Sequence, residues 1–70
     1  MTFQEKIEWQ IKEVMVSDKL QETKITAFKA IRTELWSAYQ TAPTEKLREL
    51  IEDVSENIGW LQAEEFYTNN

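Results

Sequence analysis

Glu45, Glu49, Glu52, Asp53 and Glu56 are the densest set of groups in this chain able to exchange a proton or hold a cation, and helical spacing puts them on one face. Two carboxylates can divide general acid and base roles when their surroundings drive their pKa values apart. No pocket that would do so is evident around any pair here. The ridge also lacks the turning glycine and converging oxygens of a calcium loop. Histidine and cysteine are absent, so Ser17, Ser37 and Ser55 have no imidazole to activate them. Ser37 and Ser55 moreover fall within helical pattern, without a nucleophile elbow. The single glycine excludes a phosphate-cradling loop. No catalytic residue, metal ligand or cofactor is expected, and the chain reads as a non-enzyme.

The carboxylate ridge runs against local helix preference. Glu45/Glu49, Glu49/Asp53 and Glu52/Glu56 are like-charged i,i+4 pairs, each costing a few tenths of a kcal/mol. Such a face either keeps an acidic protein soluble or docks a basic partner. A sharper version of the second reading is nucleic-acid mimicry, because carboxylates one helical turn apart lie about 5 Å apart along the axis, loosely like successive phosphates.

Charge and length narrow the classes further. Lys and Arg number 8 against 13 Asp and Glu, a net charge of -5, which disfavours direct binding of a phosphate backbone. Seventy residues make one domain at most, burying only about 60% of the surface exposed when unfolded. No apolar run approaches the roughly 18 residues of a membrane span, and the first five residues have no signal-peptide character. A cytoplasmic protein without a membrane association is expected.

The elements that must carry these residues are helices. Thr2-Phe3-Gln4-Glu5 fits a capping box, and Phe3, Ile7, Ile11 and Val14 then share one face, with Met15 at its margin. Glu8 and Lys12 add an i,i+4 pair in the favourable order. A turn is expected near residues 16–19, where Asp18 and Gln21 can form a second, box-like cap. Leu20, Ile25, Phe28, Ile31, Leu35, Trp36 and Tyr39 span the broad apolar arc of a second helix. Pro43 ends that helix and suits the first position of a third, with Glu45 in its first turn. Leu47, Ile51, Val54, Ile58 and Leu61, at steps of 4, 3, 4 and 3, form the stripe by which that third helix packs. Gly59 either stops or bends it, so that 59–67 is a continuation or a short fourth helix. The expected fold is all-α: a small three-helix bundle or irregular helical array, with helices over about 3–16, 19–40 and 43–58.

Some aromatics fall outside this core. Trp9 and Val16 lie roughly opposite the apolar face of the first helix, and Trp60 and Tyr67 opposite the stripe of the third if it continues, both pairs seven residues apart. Three readings stay open. The C-terminal segment folds back, and Trp60, Phe66 and Tyr67 cover Trp9 and Val16; or the strips are a contact surface for a second copy or another protein, with Trp and Tyr as anchors; or they are scattered exposed aromatics with no role. Lys19, Lys24, Lys29 and Arg32 on the second helix do not converge. They read as snorkelling at the edges of the core or as partners for acids of a neighbouring helix.

At residues 11–34 the stretch from Ile11 to Lys19, followed by Ile25-Thr26-Ala27-Phe28-Lys29-Ala30-Ile31-Arg32-Thr33-Glu34, resembles the start of YqeY-like proteins, which are related to the tail of the tRNA-dependent amidotransferase B subunit. Met15, Asp18, Lys19, Lys29 and Ala30 match that pattern. The family's arginine falls at Thr26 here, and the Met-to-Asp spacing is one residue short. The similarity spans about a third of the chain and implies a helix-turn-helix-rich array in a bacterial or phage setting. Seventy residues leave no room for the family's C-terminal helical half, so its link to tRNA is not expected to carry over.

The expected role is a small acidic protein-protein interaction module that binds another protein or itself as a homodimer. Trp9, Val16, Trp60 and Tyr67 are the candidate anchors, and Glu49, Glu52, Asp53 and Glu56 the acidic rim. The alternatives are an acidic inhibitor or nucleic-acid mimic blocking a basic site of a host enzyme, and a fragment related to the tRNA amidotransferase.

Overall fold

Thr2 starts the first helix as its sequence requires. Its hydroxyl oxygen accepts the Glu5 amide at 3.1 Å, satisfying one of the donors that a helix start leaves without a partner. The reciprocal half of the box differs: the Thr2 hydroxyl donates to the Glu5 carboxylate at 3.2 Å. The computed structural model describes the backbone of residues 2–68 and the side chains of residues 2–64. It contains α1 (Phe3–Val16), α2 (Gln21–Thr41) and α3 (Glu45–Thr68), and no strand among the described residues.

Two helix starts differ from expectation. α2 begins at Gln21, not 19. Its N-cap is Leu20, with extended backbone and no side-chain hydrogen bond, so Asp18 does not cap it. The preceding helix decides this: Ser17 donates both its amide and its hydroxyl to the Val14 carbonyl, at 3.3 and 2.9 Å, and leaves α1 extended. Pro43 likewise stands outside α3. Thr44 takes the cap position, accepting the Leu47 amide at 3.2 Å, and a hydroxyl that can satisfy an amide outcompetes a proline that can only tolerate lacking one.

Gly59 does not stop the helix, and 59–67 is a continuation and not a short fourth helix: α3 runs unbroken from Glu45 to Thr68. Gly59 does not adopt the positive φ of a helix-ending glycine. A mid-helix glycine costs about 1 kcal/mol relative to alanine. Ile58 before it is buried and Leu61 after it packs on the core, and this burial outweighs the cost.

The helices run up, down and up. Lys6 of α1 faces Glu34 in the second half of α2 at 3.9 Å, and Lys46 at the start of α3 faces Glu8 of α1 at 3.6 Å. Glu8 thus turns to a neighbouring helix and not to Lys12. The core consists of Ile7 from α1, Ile25, Phe28, Ile31 and Leu35 from α2, and Leu50, Ile51, Val54 and Ile58 from α3. Among the described residues every buried side chain is apolar. α2 and α3 supply eight of these nine residues. Ile7 is the single buried side chain of α1, so the shortest helix lies over the antiparallel α2/α3 pair, which sets the length of a 42 × 20 × 14 Å body.

The apolar arc read for α2 is narrower than its sequence implied. Leu20 lies in the turn and is exposed, and Trp36 is 48% exposed. Trp36 sits about 100° around the helix from Leu35 and meets the half-buried Tyr39 edge to face instead, with ring centroids 5.8 Å apart. Lys24 and Arg32 are half-buried, Lys19 and Lys29 exposed. None of the four is within ion-pair distance of a carboxylate among the described residues, and the cross-helix pairing falls to Lys6 and Lys46.

Candidate docking surface

Packing of α1 on α2 leaves an open groove of about 340 Å³ between them. Its α1 wall is Trp9, Gln10, Glu13 and Val14; its α2 wall is Ala27, Ala30, Ile31 and Glu34. Each wall follows from helical spacing. Residues 10, 13 and 14 form the flank of α1 beside buried Ile7, and residues 27, 30, 31 and 34 recur at steps of three and four along α2. Ala27 and Ala30 bring only short side chains to the α2 wall.

The groove's polar groups are few. The Gln10 side-chain oxygen is buried and accepts no hydrogen bond from the described residues. Glu13 is exposed, and Glu34, also exposed, has Lys6 for an ion-pair partner.

The residues picked out by sequence are distributed as follows. Trp9 is 54% exposed and forms the outer lip of the groove, while Val16, 70% exposed, and Trp60, 65% exposed, are not among its walls. The C-terminal segment does not fold back, because α3 continues through Gly59; Trp60 and Trp9 are therefore not sealed together. The side chains of Phe66 and Tyr67 lie outside the described residues.

On α3 the acidic face is less uniform than a count of carboxylates implies. Arg48 lies between Glu45 and Glu52, with contacts of 3.7 and 3.5 Å, and draws two of the five into local pairs. Both are exposed and worth little to stability, but they leave Glu49, Asp53 and Glu56 as the exposed acids of that face without such a contact. A ridge interrupted by a guanidinium is a poorer imitation of a phosphate backbone.

No family model, curated protein or solved structure matches this chain.

Ala27, Ala30, Ile31 and Glu34 were not singled out from sequence as a surface. The signal was present in the two alanines three residues apart on the flank of an otherwise large-residue arc, since small residues at helical spacing mark where a neighbouring helix leaves space or comes close.

Proposed function

We propose that this chain is a non-enzymatic protein-protein interaction module, acting in the cytoplasm in the bacterial or phage setting that its family resemblance implies. The observation that carries the reading is Trp9: a large aromatic, 54% exposed, standing beside an apolar recess where an ordinary core helix would have turned it inward. Tryptophan is one of the residues enriched in binding hot spots. Trp60 and Val16 supply further exposed apolar area, and the net charge of -5 favours partners with a basic surface.

The test pairs association with stability. Wild type, Trp9→Ala and Trp60→Ala are immobilised in turn and exposed to a bacterial extract, and the mass of each free protein is measured by light scattering over a concentration series. The expected result is a retained species, or a dimer, that is lost from a variant whose unfolding midpoint shifts by less than about 1 kcal/mol equivalent. A variant that loses stability while association is unchanged would assign that tryptophan to the fold.

A further inference from the structure

The α1/α2 groove has a definite chemistry, and it constrains what can lie in it. We propose that it receives one amphipathic helix from a basic partner protein, with apolar side chains against Ala27, Ala30 and Ile31 and a lysine or arginine reaching Glu13. This rests on the interaction-module reading and specifies its partner.

Three observations argue for this occupant. The first is shape. The recess is open along one side and of about 340 Å³, at the lower end of what encloses a small ligand. Ala27 to Glu34 runs roughly 10 Å along α2, which matches two or three anchors of a helix at i, i+3 and i+4.

The second is charge. The walls carry two carboxylates, Glu13 and Glu34, and no Lys or Arg. Lys6, outside the walls, reaches Glu34 at 3.9 Å, and Glu13 has no ion-pair partner among the described residues. Positive charge on the occupant is therefore favoured.

The third concerns a second copy of the chain. At a net charge of -5 two copies repel each other, and a second copy matches Glu13 and Glu34 less well than a basic chain does. The partner is accordingly a different, basic chain.

The probes are two synthetic helical peptides with the same leucine face, one carrying lysines on its polar face and one carrying glutamates. Each is titrated into the ¹⁵N-labelled full chain at moderate salt while backbone amide shifts are followed. The lysine peptide is expected to shift amides of residues 9–14 and 27–34 and the glutamate peptide to shift none. Glu13→Lys and Ala30→Trp, both at exposed positions, should each weaken the lysine peptide by about tenfold or more. Unchanged affinity in Ala30→Trp, equal binding of both peptides, or binding to neither would overturn the groove assignment. So would shifts centred on Glu49, Asp53 and Glu56, although the broader interaction reading would then survive with another surface. A dimer that Ala30→Trp converts to monomer would give the groove to a second copy and reject the basic partner. The broader reading fails separately, when the tryptophan variants leave association in extract unchanged.

Discussion

Gln21 donates its side-chain amide to the Glu64 carboxylate at 2.6 Å, tying the first turn of α2 to the far part of α3. The two residues are 43 apart in sequence, and they meet because α3 continues as a helix past Gly59. That continuity gives α3 its 24 residues and places Trp60 on a helix and not in a loop.

Gly59→Ala is expected to stabilise the protein by about 0.5–1 kcal/mol, the usual difference between these residues inside a helix. A Cβ at Gly59 would meet nothing within 4 Å, so no clash opposes the gain. Urea unfolding followed by circular dichroism measures it. A loss of stability would indicate that residue 59 is a helix break.

The observed caps make opposite predictions for two polar residues. Thr44→Ala should cost about 1 kcal/mol, because the Leu47 amide loses its acceptor. Asp18→Ala should be neutral within about 0.5 kcal/mol, since Asp18 caps nothing. Thermal melts of the two variants distinguish this arrangement from one in which Asp18 starts α2.

Ile7→Ala tests how α1 is held. Ile7 is fully buried and is the one buried side chain of its helix, so its truncation should cost about 2–5 kcal/mol. In a domain of this size that is a large part of the whole. Native-state hydrogen exchange should already show α1 less protected than α2 and α3 in the wild type. Equal protection in all three helices would contradict the packing described.

Added salt should raise the melting temperature modestly. The four ion pairs are all exposed, with side-chain exposures between 45% and 78%, and each contributes little that screening can remove. The net charge of -5 and the Glu49/Asp53 repulsion are screened at the same time. Melts between low and moderate salt give the sign, and a fall would mean that the ion pairs outweigh the net repulsion.

Much of the architecture was legible because it is local. The Thr2 cap needs only residues 2–5, and the apolar spacing on α1, α2 and α3 reports an amphipathic helix whatever it packs against. Leu47, Ile51, Val54, Ile58 and Leu61 all lie in or against the core. Where local signals competed, spacing alone did not decide. Asp18 read as a cap and Pro43 as a first helical position, whereas Ser17 closes α1 and Thr44 caps α3, because the outcome depended on which hydroxyl reached which backbone group.

The candidate site divides in the same way. That Trp9 and Trp60 stand off the apolar stripes follows from the 100° rotation per residue. That Trp9 lines one groove with Ala27, Ala30 and Ile31 does not, because it depends on how α1 lies over α2.

By itself, the amino-acid sequence determined three amphipathic helices, an apolar core and an acidic exterior, since helix periodicity and side-chain polarity are properties of each segment alone. Only the tertiary structure decided that Gly59 stays helical, that Glu8 pairs with Lys46, and that the α1/α2 groove exists. Those outcomes depend on the free energy of contacts between segments far apart in the chain, where burial on one side can outweigh a local preference on the other.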